Sequence, residues 1–166
     1  IDDILSEVRL TAKKGGKIVY TEQGEMLLTH FGVSGPLVLT ASAYMAEDPA
    51  GVSLFIDLKP AIPEEELHAR LQRLIQENPK KAVGGAFSGV LPTRLLDAVF
   101  DQARIQPWAP ASSFTKEQRQ SLVSALKGMP LFAADLLFLA INVTIPYKKL
   151  AMQLCDELSE TAREVG

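Results

Sequence analysis

The spacing of the apolar residues changes at Pro60, and this change limits the folds open to the chain more than any other feature. Before Pro60, apolar and polar residues alternate in residues 52–58, which is typical of a β-strand. After Pro63, Leu67 and Leu71 recur at helical spacing. The sequence therefore predicts an α+β fold with a β-rich part first and a helical part second.

This change of period divides the chain into three predicted parts. Residues 1–60 are the β-rich part, and residues 61–127 form a small helical subdomain. Residues 128–166 form a tail, in which the continuous apolar run 136–143 predicts a strand buried on both faces. Leucines at helical spacing in residues 148–163 predict an amphipathic helix after it. We expect this tail to pack on the β-rich part.

Local signals place individual elements. Gly15-Gly16 lies between two β-like runs and predicts a hairpin. Glu25–His30 is predicted as a third strand, and the small apolar residues 37–45 as a buried helix. Thr115, with Gln118 three residues later, has the spacing of a capping box at a helix start. That helix is predicted to end at Gly128.

Composition excludes several classes of function. The chain has 166 residues, a formal net charge of −3 and a pI near 5.4, so it lacks the basic field of a nucleic-acid-binding protein. The longest apolar run is interrupted by Asp135 and Asn142 and is too short to span a bilayer. The single cysteine, Cys155, and an acidic start without a signal peptide are compatible with a cytoplasmic protein.

In residues 24–36 the order of the residues, rather than their composition, is most informative. A short apolar run ends at Thr29-His30, Gly32 and Gly35 bracket Ser34, and Pro36 then opens an apolar segment. This order predicts a strand, a tight turn and a helix start. One interpretation is that the glycines only make the turn. The other is that backbone N–H groups at the helix start receive a ligand.

The chemistry-bearing residues do not assemble into a familiar motif. His30 and His68 have no second histidine or cysteine at metal-ligand spacing, so no metal site is predicted. Ser34 lacks the Gly-x-Ser-x-Gly spacing of a nucleophile elbow and is predicted to cap the following helix. The stretch 84–89 is rich in glycine but lacks the lysine of a phosphate loop, which favours a connection between helices.

The order of several blocks resembles a known family, the YhiN/BaiN-like (aminoacetone oxidase-like) FAD-dependent NAD(P)/FAD oxidoreductases. The first block is residues 24–36. Further similar blocks are Ile56-Asp57-Leu58-Lys59-Pro60, Glu77-Asn78-Pro79-Lys80-Lys81, Gly89-Val90-Leu91-Pro92-Thr93-Arg94-Leu95 and Leu126-Lys127-Gly128-Met129-Pro130-Leu131. The resemblance covers residues 7–131, and residues 132–166 depart from the family pattern.

The resemblance implies that this chain is an insert domain, with a β-barrel-like part and a helical bundle, of a larger flavoprotein. The partner would be the FAD-binding domain of the same polypeptide. FAD would bind the full-length protein and not this chain alone, since the sequence has no Gly-x-Gly-x-x-Gly fingerprint. Thr29, His30, Gly32, Ser34 and Gly35 would then face the flavin and substrate cleft.

We therefore expect a domain that covers the flavin cleft and is not catalytic in isolation. The first alternative is an independent protein-binding module with no redox role. The second is a small hydrolase that uses Ser34 and His30, which the missing nucleophile elbow disfavours.

Overall fold

The computed structural model describes residues 3–29, 32–45 and 51–131. The strands are β1 (Asp3–Lys14), β2 (Lys17–Thr29), β3 (Gly32–Ser34), β4 (Val52–Asp57) and β5 (Met129–Leu131). The helices are α1 (Pro36–Met45), α2 (Glu64–Glu77), α3 (Val83–Ala86), α4 (Thr93–Ala103) and α5 (Lys116–Lys127), with a 3-10 turn at Ala111–Ser113. Within these residues the strands form one antiparallel sheet, ordered β3-β2-β1-β4-β5, that curls into half a barrel. The predicted α+β class is confirmed.

The hairpin predicted at Gly15-Gly16 joins β1 to β2. Both glycines have positive φ, +55° and +79°, as a two-residue turn between right-twisted strands requires. Lys14 pairs with Lys17 directly across the turn. The pairing shifts between Leu5 and Val8 and again between Ala12 and Lys13, and such irregularities help a sheet to curl.

The sheet differs from the sequence prediction at β2. Residues 17–29 form one continuous strand, so the run predicted as a third strand is the end of β2 in its described part. Gly24 lies inside this strand instead of ending it. A Cβ placed at Gly24 would lie 3.8 Å from Leu37 Cδ1, so α1 covers the strand at this glycine. The third strand is the three-residue β3, which pairs with β2.

One apolar core runs from the sheet into the helices. Leu10, Met26 and Leu54 are fully buried on the sheet, and Leu71, Phe100 and Leu126 are fully buried on the helices. Phe87 is packed between the rings of Phe100 and Phe114, with centroid separations of 6.3 and 5.3 Å. The sheet and the helical part therefore share their apolar interior.

The helix predicted to begin at Thr115 starts as the sequence indicates. The Gln118 backbone N–H donates to Thr115 Oγ1, and the Thr115 N–H donates to Gln118 Oε1, which completes the capping box. Gly128 follows the last helical residue, as predicted.

The predicted strand 136–143, the predicted helix 148–163 and Cys155 lie outside the described residues. Residues 129–131 pair with β4 at the edge of the sheet. No helix in the described ranges has the length and apolarity needed to cross a bilayer.

Candidate functional site

The described residues of the motif at 24–36 form the end of β2, β3 and the start of α1. Thr29 pairs with Gly32 and Leu27 pairs with Ser34, so only positions 30 and 31 separate the two strands. His30, the candidate histidine, lies outside the described residues, as does Phe31. Thr29, Gly32, Ser34 and Gly35 are thus brought to one edge of the sheet by the β2–β3 pairing.

Gly35 is required by the backbone at this point. Its φ is +105°, a conformation that residues with a Cβ rarely adopt. A Cβ here would also lie 3.2 Å from the backbone nitrogen of Leu27 and 3.4 Å from the carbonyl oxygen of Glu25. The glycine therefore lets the start of α1 approach β2 closely. The predicted strand, tight turn and helix did not include β3, in which Gly32 pairs with Thr29.

The residue at the N-cap of α1 is Gly35 and not Ser34. The Gly35 carbonyl accepts the first helical hydrogen bond, from the Leu39 N–H at 3.0 Å, while Ser34 belongs to β3. The prediction that Ser34 caps the helix is therefore wrong. Ser34 is instead the last residue of β3, which pairs with β2 up to this position, so Gly35 is left as the N-cap. Whether Thr29, His30, Gly32, Ser34 and Gly35 face a cleft stays a prediction.

The second histidine has a local role. His68 is partly buried on α2, and its Nε2 lies 3.9 Å from Oε1 of Glu64, one helical turn away. Among the described residues, no group of three histidine, cysteine, aspartate or glutamate side chains is arranged to hold a metal ion. His68 is therefore a helix-surface residue paired with a neighbouring carboxylate.

Sequence reasoning missed an ion pair that joins the sheet to the helices, between a buried carboxylate and a partly buried lysine. Asp57, at the end of β4, is 8% exposed, and its Oδ2 lies 2.8 Å from Nζ of Lys127 at the end of α5. The same carboxylate lies 4.0 Å from Arg9, and its Oδ1 accepts the Lys59 N–H at 2.9 Å. A buried carboxylate needs partners of this kind to offset its desolvation.

Lys127 is bound on several sides. Its Nζ also donates to the carbonyls of Lys59 and Ile62, each at 3.0 Å, and the Leu58 N–H donates to the Leu126 carbonyl at 2.8 Å. Burial, and then the Arg70 guanidinium, lowers the pKa of Lys59 below its usual value. The geometry is that of a structural joint between β4, the following loop and α5.

Asp57 and Lys127 belong to two of the blocks that resemble the flavoprotein family, residues 56–60 and 126–131. Their opposite charges flank apolar residues in both blocks. Nothing local indicates that the two blocks meet, because the contact is made across the whole helical part.

The glycine-rich stretch 84–89 serves packing. The Gly84 N–H donates to the Pro107 carbonyl at 2.8 Å, and the Val83 N–H donates to the Ala109 carbonyl at 2.9 Å. A Cβ at Gly84 would lie 3.1 Å from Pro107 Cβ, so glycine permits this close crossing. Both amides are used within the protein, and residues 83–86 form the short helix α3, so the stretch is only in part the predicted connection between helices.

An open cleft of about 390 Å³ lies between α4 and α5. Its lining includes Gln102, Arg104, Gln120, Ser121 and Ser124. Arg104 ends α4 with a positive φ of +56°, and the Ile105 N–H closes the helix on the Phe100 carbonyl. The cleft is open to solvent and lined by both polar and apolar atoms, and no local sequence pattern indicated it.

The fold agrees with a known domain type. A model of the HI0933-like protein barrel and H2TH domain matches residues 4–135, which is 132 of the 166 residues. The chain therefore belongs to this family, the FAD-dependent oxidoreductase family that its sequence blocks resemble. In the full-length proteins the family membership implies FAD as cofactor.

Two curated proteins illustrate the similarity. The chain is 21% identical over 135 residues to 3-dehydro-bile acid delta(4,6)-reductase from Clostridium scindens. This alignment covers 80% of this chain and 33% of the relative. The chain is also 49% identical over 41 residues to shikimate dehydrogenase (NADP(+)) from Methanopyrus kandleri. That alignment covers 25% of this chain and 14% of the dehydrogenase. The chain thus spans about a third or less of the curated relatives it matches.

Proposed function

We propose that this chain is the barrel and helical domain that covers the flavin and substrate cleft of an FAD-dependent oxidoreductase. The observation that carries the proposal is the family match over residues 4–135 in a sequence without a dinucleotide fingerprint. The bile acid reductase relative is a reductase about three times as long as the matched segment. Isolated from a flavin-binding part, the domain is not catalytic.

In this proposal the domain contributes by covering the flavin site and not by supplying catalytic groups. Covering a flavin site excludes water and holds the substrate against the ring, which are general uses of closing elements. The β2–β3 turn, with Thr29, His30, Gly32, Ser34 and Gly35, is the part proposed to face the cleft. Its support is the close packing of Gly35 on β2, which fixes this edge of the sheet.

The test compares the 166-residue chain with the full-length flavoprotein that carries this domain. Each is purified with excess FAD, freed of unbound flavin and examined by visible absorbance. We expect bound flavin in the full-length protein and none in the chain alone. A stoichiometric yellow complex of the chain alone would contradict the claim that this domain does not bind FAD by itself. A full-length protein that holds no flavin would contradict the proposed function.

A further inference from the structure

The longest stretch of the sequence without a charged side chain is residues 26–46. It contains 21 consecutive residues, whereas a charged content of 22% predicts about five charged residues in a segment of that length. Its described residues form the end of β2, β3 and α1. Depletion of charge on this scale is typical of a protein interior or of the centre of an interface.

Burial inside the domain accounts for only one side of α1. Leu37, Val38 and Ala41 are buried against the sheet. The residues on the other side are exposed, and we call them the α1 outer face: Leu39, Thr40, Ala43 and Tyr44. A surface helix normally carries charged residues on its solvent side, and α1 carries none.

The α1 outer face is held in place and offers few free polar groups. The Tyr44 ring, 69% exposed, lies 5.2 Å from the ring of Tyr20. Tyr20 is itself fixed, because it is buried and its hydroxyl donates to Glu22, and both effects raise its pKa. The Thr40 hydroxyl donates to the Pro36 carbonyl at 3.0 Å, so the helix satisfies it. An exposed, ordered and uncharged face of this kind suits contact with another apolar surface.

The position of α1 indicates which surface that is. α1 starts directly after Gly35, beside the β2–β3 turn that the proposed function places towards the flavin cleft. Asp3 pairs with Leu28, so the family-matched segment also begins at this end of the sheet. The bile acid reductase relative is three times the length of the matched segment, so most of such a protein lies outside this domain.

We propose that the α1 outer face is the surface on which the flavin-binding part of the same polypeptide packs. The inference rests on the proposed function and adds the location and chemistry of the contact. The partner surface is apolar and uncharged, because the described residues of 26–46 include no aspartate, glutamate, lysine or arginine to pair with a charge. For the same reason, an anionic membrane or an acidic peptide is disfavoured as occupant.

Thiol labelling tests the proposal directly. Tyr44→Cys and the matched control Trp108→Cys are each made in a Cys155→Ser background. Trp108 is 73% exposed and lies on the loop after α4, away from α1. We expect Tyr44→Cys to react about tenfold or more slowly in the full-length flavoprotein than in the 166-residue chain, because it is reached only when the domains open. Trp108→Cys is expected to react at similar rates in both.

The outcomes separate this inference from the proposed function. Equal labelling of Tyr44→Cys in the chain and in a full-length protein that retains flavin overturns the docking surface and leaves the proposed function standing. A full-length protein without flavin counts against the proposed function instead. Protection of Tyr44→Cys in the chain alone, together with a dimer mass by light scattering, assigns the face to a second copy and also overturns the inference.

A substitution that adds a charge to the α1 outer face provides an independent test of the docking surface. Ala43→Glu places a carboxylate on the exposed side of α1, so the thermal unfolding of the 166-residue chain is expected to stay unchanged. In the full-length flavoprotein the same substitution is expected to lower the temperature of flavin release, because the carboxylate is buried unpaired at the contact. Gln72→Glu, on the exposed side of α2, is the control. Equal effects of the two substitutions on flavin release would contradict the proposal.

Discussion

α1 and α5 pack on the same sheet but are secured by opposite means. α5 begins with a capping box, has Glu117 in its first turn and ends in Lys127, which is paired with a buried carboxylate. α1 has no charged residue and is positioned by a glycine that brings its start against β2. α5 is thus fixed by polar contacts inside the domain, whereas α1 keeps one uncharged face that the described part of the domain does not use.

The largest effect is expected from loss of the α5 joint. Lys127→Met leaves the carboxylate of Asp57 largely buried without its main partner and removes the Nζ donor from two loop carbonyls. We expect the free energy of unfolding to fall by about 3–5 kcal/mol, as is found when one partner of a buried ion pair is removed. Urea unfolding of the 166-residue chain at neutral pH measures this loss.

The control for the joint is an exposed ion pair. Arg70 and Glu66 lie one turn apart on α2, and both side chains are about half exposed. Arg70→Met is expected to change the free energy of unfolding by less than about 0.5 kcal/mol. The double variant Asp57→Asn with Lys127→Met is expected to be more stable than Lys127→Met alone. Similar losses for Lys127→Met and Arg70→Met would show that the joint does not secure α5.

The second effect concerns the start of α1. Gly35→Ala combines a φ of +105° with a Cβ 3.2 Å from the Leu27 nitrogen, and we expect a loss of about 2–3 kcal/mol. Gly51→Ala is the matched control, because Gly51 also has a positive φ, +73°, but no atom lies within 4 Å of its Cβ position. We expect Gly51→Ala to lose about 1 kcal/mol from backbone strain alone. If both variants lose the same amount, the close approach to β2 is not what positions α1.

The contrast between the two helices also separates what the sequence predicts from what it does not. The capping box at Thr115 and the hairpin at Gly15-Gly16 are local patterns, so the sequence predicted both of them correctly. Glu25–His30 was predicted as a separate strand, yet its described residues continue β2. The pairing of Asp57 with Lys127 has no local signature, since it forms only when the helical part folds back onto β4.

In the candidate site, too, the sequence predicted features set by the local backbone and missed those that depend on pairing between elements. The helix start at Pro36 and the need for a glycine at position 35 were predicted from glycine and proline positions, which act through the local backbone. Ser34 was misassigned as a cap because β3, a strand of three residues, depends on pairing with β2 and carries too few residues to show a period. The cleft between α4 and α5 escaped prediction because it is shaped by the packing of two helices.

A smaller effect is expected at the start of α5. Thr115→Ala removes the oxygen that accepts the Gln118 N–H, and we expect a loss of about 1 kcal/mol. The matched control is Thr40→Ala on α1, where the hydroxyl only returns to the Pro36 carbonyl within the helix, and we expect a change within about 0.5 kcal/mol. Urea unfolding of both variants measures the difference. Equal losses would mean that the capping box adds nothing to α5.

The smallest effect is the pH response of the same helix start. Hydrogen bonding by its own backbone N–H and by the Thr115 hydroxyl lowers the pKa of Glu117. Because the folded-state pKa lies below the unfolded value, the stabilisation is complete above the unfolded pKa and is lost as pH falls through the folded one. Glu117→Gln is therefore expected to flatten the decline in stability on the acid side and to leave the profile above that range unchanged. In Thr115→Ala, an NMR titration should show the Glu117 pKa moving back towards its usual value, whereas Thr40→Ala should leave it in place. An unmoved Glu117 pKa in Thr115→Ala would show that the cap and the carboxylate at the start of α5 act independently.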